Sequence, residues 1–155
     1  MVNNIIENKI IENFNCNEIT GKKFGISGCI IKTLNFDLFN SDCEIAIINC
    51  IVSNFSLHAC WFKKGLLLQS NIFLNRIEYY MGGHNDMPIL ICDNIFNEFV
   101  DFDDCIFLNT IELKSNYFKK GTNLLGNIND AAKNTFEGQI ITDKNLGELN
   151  LNGWG

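Results

Sequence analysis

The chain has little proline, little histidine and no long apolar run. It contains one proline and two histidines in 155 residues. No segment approaches the roughly 20 uninterrupted apolar residues that a membrane-spanning helix needs. The first residues carry Glu7 and Glu12 where a signal peptide would be apolar, and they offer no small-residue cleavage site. These absences predict a cytoplasmic protein that makes no membrane contact.

The seven cysteines are odd in number and scattered, and they include no C-x-x-C pair. This distribution argues against a disulfide scaffold and against a zinc ribbon. A composition that is 46% apolar and includes thirteen phenylalanines can bury a core, which excludes a disordered chain. We therefore expect the cysteines to be small buried side chains in a reducing compartment.

An internal repeat dominates the sequence. Residues 49–73 align with residues 94–118, and within both stretches the working unit is eleven residues. Each unit contains i, i+2 pairs of apolar residues, such as Leu66 with Leu68. Such pairs lie on one face of a strand but roughly 200° apart around a helix. Each unit therefore predicts two very short strands joined by sharp corners.

Alternate units match each other best, so two units make one coil. The bulky slot of alternate units holds Ile30, Ile51, Phe73, Phe96, Phe118 and Ile140. The slot two residues earlier holds Gly28, Asn49, Asn71, Asn94, Asn116 and Gly138. The pattern predicts an all-β fold, a parallel β-solenoid of about six coils of roughly 22 residues, with stacked rings along its axis. Asparagine amides would hydrogen-bond their own copies one coil away.

The triplets Cys60–Phe62, Asn71–Phe73, Cys105–Phe107 and Asn116–Phe118 place a small or polar residue two positions before a bulky one. In this they resemble the pentapeptide-repeat proteins, whose right-handed β-helix stacks four five-residue faces per coil. The resemblance implies a right-handed parallel β-helix. Because two faces here take eleven residues rather than ten, a right-handed helix with three faces stays open.

The repeat also sets the expected domain organisation. A single domain spans residues 1–155, with coils at 17–146 and a protruding loop at 81–88, where the repeat is interrupted near Pro88. The two ends, residues 1–16 and 147–155, are expected to be caps, and Trp154 would cover the last coil. A solenoid end left open would instead serve as a homodimer interface.

The two histidines leave little room for catalysis. Strand alternation directs His58 outward and Cys60 inward, which disfavours a nucleophilic or metal-binding pair between them. His84 lies in a glycine-rich segment without a second ligand nearby. We therefore expect no catalytic residue, no metal site and no cofactor, and we classify the chain as a non-enzyme.

Acidic residues are concentrated in one part of the chain. The net charge is −6, and no basic residue occurs between Arg76 and Lys114. Glu78 and Asp101 take the same slot one coil apart, which would stack like charges roughly 5 Å from each other unless a cation neutralises them. The candidate acidic binding face comprises Glu78, Asp101, Asp103, Asp104 and Glu112.

Three functions are compatible with this sequence. The favoured one is a scaffold whose flat, rigid faces bind a protein partner. The second is an acidic mimic of duplex DNA that inhibits a topoisomerase or nuclease, as the resemblance implies, since several pentapeptide-repeat proteins act in this way. The third is a small carbohydrate-binding or carbohydrate-active β-helix, which would need exposed aromatic side chains grouped near Trp61, Tyr79 and Tyr80. Direct nucleic-acid binding is not expected, because the lysines form only isolated pairs.

Overall fold

The structure is a computed structural model that describes residues 4–40 and 42–153. Within this part of the chain lie one short 3-10 helix, Cys16–Glu18, and seventeen short strands. The strands are β1 (Asn4–Glu7), β2 (Ile10–Asn15), β3 (Lys23–Ser27), β4 (Ile30–Asn35), β5 (Glu44–Ile48), β6 (Ile51–Ser56), β7 (Leu66–Gln69), β8 (Ile72–Phe73), β9 (Ile77–Tyr80), β10 (Ile89–Cys92), β11 (Ile95–Phe96), β12 (Val100–Asp103), β13 (Ile106–Phe107), β14 (Ile111–Lys114), β15 (Tyr117–Phe118), β16 (Thr135–Phe136) and β17 (Ile140–Asp143).

Every strand pair between them is parallel, and successive coils stack in register. The first sheet has the order β1-β3-β5-β7-β10-β14-β17. The second sheet begins with β2, β4 and β6, and then continues on one side as β8-β11-β15 and on the next side as β9-β12. A further ladder joins Asn40, Trp61, Gly83 and Ile106 by single bridges and ends in the pair β13-β16. Each full coil therefore has four sides.

The predicted parallel β-solenoid is confirmed, with about five turns spaced about 21 residues apart. The prediction of six coils was slightly too high, because it carried the repeat unchanged through residues 119–139. A longer connection there places Asn145, and not Gly138, one coil after Asn116, at a separation of 29 residues. Among the described residues, no helix is long and apolar enough to cross a membrane.

The predicted stack of aromatic rings runs along the axis of the solenoid. Phe73 and Phe96 have ring centroids 5.0 Å apart and planes within 6°. Phe96 and Phe118 continue the stack at 4.7 Å and 4°. Offset stacking of this kind adds about 0.5–1.5 kcal/mol per pair to the gain from burial alone. The rings therefore stabilise the contact between coils as well as the interior of each coil.

The predicted assignment of inward positions is wrong by one residue in the first coils. Ile31 and Val52 are the fully buried side chains, whereas Ile30 and Ile51 are exposed. In register, Val52 and not Ile51 is the partner of Phe73. The inward asparagine column likewise continues as Cys50 and Cys29 rather than as Asn49 and Gly28, which form the corner between the first and second sheets.

That corner is built from residues with a left-handed backbone. Its φ values lie between 53° and 62° in every coil. At Gly28 an added Cβ would lie only 2.5 Å from the Oδ1 atom of Asn8, so a larger residue there would have to displace the Asn8 side chain as well as adopt the left-handed backbone. The corner comprises Asn8, Gly28, Asn49, Ser70, Asp93, Ser115 and Lys144.

The predicted asparagine ladder is present just inside this corner. The Asn94 Oδ1 atom accepts the backbone N–H of Asn71 at 2.9 Å, and the Asn94 backbone N–H donates to Asn116 Oδ1 at 3.0 Å. The side-chain amides of Asn71 and Asn94 also donate to the next asparagine, each at 3.0 Å. All three residues are buried. The ladder therefore satisfies backbone groups that the bent corner leaves unpaired.

Two segments differ from their expected form. Residues 4–15 of the expected cap form β1 and β2, which pair with the next coil as regular strands. The segment 81–88 does not protrude, because Gly83 bridges both Trp61 and Ile106 within the wall of the solenoid. A Cβ at Gly83 would lie 2.2 Å from the Ile106 carbonyl oxygen, so only glycine fits at this position. Trp154 lies outside the described residues.

Candidate functional site

The most conspicuous surface feature is a straight row of large apolar side chains on the outside of the second sheet. Each residue of the row is the register partner, or the bridge partner, of the next one. We call this row the outer ladder. It comprises Ile10, Ile30, Ile51, Ile72, Ile95, Tyr117 and Leu146.

Most of the outer ladder is open to solvent. Ile10 is 80% exposed, Ile30 is 53% exposed and Leu146 is 64% exposed. Ile72 and Ile95, near the middle, are half-buried. Isolated exposed apolar residues are ordinary in soluble proteins, whereas a contiguous row is a candidate interaction surface.

Strand alternation explains why these residues point outward. In β4 the inward side chain is Ile31, so its neighbour Ile30 must point to the other face. The same holds in β8, where Phe73 is buried and Ile72 lies outside. Stacking of β-branched side chains stabilises neighbouring strands, but the stability of the coil does not require an apolar outer surface. The outer ladder therefore exceeds what folding needs.

Sequence reasoning missed this surface because it placed Ile30 and Ile51 inside. A signal was nevertheless present. Between the inward asparagine and the inward phenylalanine stands Ile72 in one coil, Ile95 in the next and Tyr117 in the third. A solvent-facing position that is apolar once in every coil indicates an outer apolar row.

The flanks of the outer ladder carry few charges. Two lysines, Lys32 and Lys119, lie on one flank, and Lys32 forms an exposed ion pair with Glu12 at 3.1 Å. The opposite flank is the left-handed corner, which in the middle coils holds Ser70 and Asp93. This side of an acidic protein is therefore close to neutral.

The predicted acidic face is not a single stripe. Asp101 is only 1% exposed. Its Oδ2 atom lies 2.5 Å from Arg76 Nη2 and accepts the Tyr80 hydroxyl at 3.1 Å. Its Oδ1 atom accepts the Asn123 amide at 2.6 Å. Burial, together with the Asp101 carboxylate, raises the pKa of the Tyr80 phenol to about 12. Asp101 is thus part of a buried polar cluster.

The expected like-charge pair is present, and a cation neutralises it. Glu78 and Asp101 are register partners, as the repeat predicted. Arg76 bridges them, with its Nε atom 3.4 Å from Glu78 Oε1. Its guanidinium also lies over the Phe99 ring at 5.2 Å. The compensating cation lies at the edge of the basic-free interval, immediately before β9.

The remaining acidic residues lie apart. Asp103 is half-buried on the same side as Glu78, and burial, followed by the neighbouring carboxylates of Asp101, Asp130 and Asp104, raises its pKa. Asp104 is exposed at a corner. Glu112 lies on the first sheet, in register with Leu90 and Ile141. The structure therefore brings Glu78, Asp103 and Asp104 to one side and places Glu112 elsewhere.

A shallow groove of about 340 Å³ adjoins the buried polar cluster. Its lining includes His58, Arg76 and Tyr80. His58 is exposed and Cys60 is fully buried, so the predicted opposite orientation of these two residues is confirmed. Burial also raises the pKa of the Cys60 thiol well above its ordinary value, which disfavours a thiolate nucleophile. Among the described residues, no three histidine, cysteine or acidic side chains group as metal ligands.

The aromatic residues named for carbohydrate binding are dispersed. Tyr79 is buried and donates its hydroxyl to the Cys60 carbonyl oxygen at 2.9 Å. Tyr80 lies in the buried polar cluster. Trp61 lies on a different ladder, where its ring centroid is 4.3 Å from that of His84. These three side chains do not form a common platform for a sugar.

Comparison of the chain with protein-family models, with curated proteins and with solved structures found no match.

Proposed function

We propose that this chain is a non-enzymatic β-solenoid that binds a protein partner through its outer ladder. The observation that carries the proposal is the unbroken register of seven large apolar side chains along the outside of the rod. Removing such a row from water is favourable by about 25 cal/mol per Å² of apolar area. Ordered parallel strands hold the row rigid, so little conformational entropy is lost when a partner covers it.

The flatness of the surface supports a protein as the partner. A small molecule needs a concave site that surrounds most of it, whereas the outer ladder is a ridge on a flat sheet. The groove beside Arg76 is concave, but its cation is held by Glu78 and Asp101. A protein surface of similar length is therefore the best match.

Site-specific photo-crosslinking in the native host tests the proposal. A photoreactive amino acid at position 51 is expected to crosslink to a defined protein. The same amino acid at position 38 is the matched control, because Leu38 is 73% exposed and apolar but lies off the outer ladder. A product specific to position 51 supports the proposal. No product, or the same products from both positions, contradicts it.

Duplex mimicry stays a prediction without a structural observation in its favour. Asp101 is buried and paired, and Glu112 lies on another sheet. If the mimicry hypothesis were correct, the protein would inhibit DNA supercoiling by a type II topoisomerase or cleavage by a nuclease. The protein-binding proposal predicts no such inhibition at micromolar concentrations.

A further inference from the structure

We infer that the partner on the outer ladder is a second copy of this chain, packed side by side with its rod axis parallel to that of the first. The inference deepens the proposed function, because it assigns an occupant to the same surface. Three observations support it: the period of the row, the distribution of charge around it and the residues on its two flanks.

The period of the outer ladder limits which partners fit it. Stacked parallel strands place successive side chains roughly 4.8 Å apart along the rod. A partner that fills every gap of such a row needs side chains with the same spacing. A second copy of the ladder supplies this spacing over the full length, in the way that identical strands form dry interfaces between paired sheets.

Charge distribution favours contact on this side. The chain has a net charge of −6, so two copies repel each other over most of their surfaces. Glu78 and Asp104 are exposed away from the outer ladder. The exposed lysines Lys32 and Lys119 lie beside it, and Lys32 is paired with Glu12 on the same flank. Approach through the outer ladder therefore brings together the least acidic sides of the two molecules.

The flanks distinguish a parallel from an antiparallel arrangement. With a two-fold axis along the rods, each residue of the ladder faces its own copy. Lys32 then faces the glycine at position 28 of the second copy, and Asn97 faces the carboxylate at position 93. With antiparallel rods centred on Ile72, Lys32 would face the lysine at position 119. Of these two arrangements, in which the whole ladder is covered, only the parallel one avoids opposing like charges.

The size of the surface predicts a weak dimer. Seven rungs at roughly 4.8 Å span about 29 Å, and one side of the coil is on the order of 14 Å wide, so each copy buries on the order of 400 Å². Stable dimers bury about 800 Å² per partner. We therefore expect weak, concentration-dependent association.

Sedimentation equilibrium of the purified chain between about 5 μM and 1 mM tests the inference. The expected result is a reversible monomer–dimer equilibrium. The double variant Ile30→Thr/Ile51→Thr keeps β-branched side chains in the strands but removes apolar area, and should weaken association at least tenfold. Leu38→Asn, which removes an exposed apolar side chain elsewhere and suits the left-handed backbone at φ 60°, should leave association unchanged. Circular dichroism establishes whether each variant folds. If the double variant does not fold, Tyr117→Thr takes its place in the association measurement.

Cysteine crosslinking determines the orientation. In a parallel dimer, Ile30→Cys faces its own copy across the roughly 10 Å between packed sheets, which is too far for a disulfide, so a short bismaleimide should link the two copies, as it should not do in the native chain. In an antiparallel dimer, only a mixture of Ile30→Cys and Tyr117→Cys should crosslink efficiently, and this result would overturn the parallel arrangement.

The outcomes separate this inference from the proposed function. A chain that stays monomeric at 1 mM, but crosslinks to a different protein from position 51, contradicts the second copy and supports protein binding. Association that survives the ladder substitutions also contradicts the inference, and would indicate contact through the solenoid ends. Absence of both self-association and crosslinking contradicts both proposals.

Discussion

Replacing Asn94 with alanine should cost a large part of the stability of the fold. The Asn94 side chain accepts the backbone N–H and the side-chain amide of Asn71, at 2.9 and 3.0 Å. It donates to the Leu68 carbonyl oxygen at 2.9 Å and to Asn116 Oδ1 at 3.0 Å. Each buried group left without a partner costs about 1–3 kcal/mol. Since at least the Asn71 N–H and the Leu68 carbonyl lose a partner, we expect a loss of about 3–5 kcal/mol.

Asn94→Cys provides a graded comparison. In the first coils the same position is filled by Cys50, whose Sγ atom accepts the Cys29 backbone N–H at 3.4 Å. A thiol at position 94 would keep a weak acceptor, so its cost should be about 1–2 kcal/mol smaller than that of alanine. The exposed variant Asn75→Ala should change stability by less than about 0.5 kcal/mol.

Urea unfolding followed by circular dichroism measures these differences at equilibrium. The predicted order of stability is Asn75→Ala, then Asn94→Cys, then Asn94→Ala, with similar m-values. If Asn94→Ala loses no more than Asn75→Ala, the asparagine ladder does not satisfy buried backbone groups, and the argument from hydrogen bonding is refuted.

Three other predictions concern the corner and the buried polar cluster. Gly28→Ala should destabilise the fold by about 1–2 kcal/mol and so lower its melting temperature, because the alanine must adopt a left-handed backbone and its Cβ contacts Asn8. An unchanged melting temperature would contradict the corner geometry. Arg76→Met should cost about 3–5 kcal/mol, because it leaves the buried Asp101 without its cation, and adding Asp101→Asn should recover most of the loss in a double-mutant cycle. Asp103 has a raised pKa in the fold, so its ionisation opposes folding once the pH exceeds the unfolded value near 3.8. Asp103→Asn should therefore stabilise the chain by less than about 1 kcal/mol at pH 7 and should have no effect near pH 3. An equal effect at both pH values would contradict the raised pKa of Asp103.

The parts of the fold that the sequence predicted are those where each coil repeats the same chemistry. Phe73, Phe96 and Phe118 occupy one column, and so do the asparagines two residues before them, so their alignment fixes the coil length and the inward direction. Asn71 beside Phe73 is unambiguous, because a polar and a bulky residue alternate with an outward residue between them.

The first coils were misaligned because apolar residues lie on both faces. In the segment Cys29–Ile31, two adjacent isoleucines fit either an inward or an outward position, and alternation alone cannot choose between them. Only the pairing of Val52 with Phe73 resolves the frame. The same ambiguity concealed the outer ladder, since its members were counted as core.

The neutralisation of Asp101 was also outside what the repeat could predict. Arg76 is not part of a repeating column, and its contact with Asp101 spans 25 residues. The repeat predicts which residues stack, but contacts made by single non-repeating side chains depend on the finished coil. The candidate acidic face was accordingly less well predicted than the core.

The central claim is that the outer ladder is a straight, in-register row on a parallel solenoid. Pulsed electron–electron double resonance, which measures the distance between two spin labels, tests this claim directly. The labels are genetically encoded and do not depend on cysteine, and the protein is kept dilute. Labels at positions 30 and 117 are four rungs apart and should lie roughly 19 Å from each other, and labels at 10 and 117 should lie roughly 24 Å apart, before the length of the label is added. An increase of one rung, roughly 5 Å, from the first pair to the second is the predicted result. Equal distances, or a shorter distance for the second pair, would contradict the row and the parallel coil that produces it.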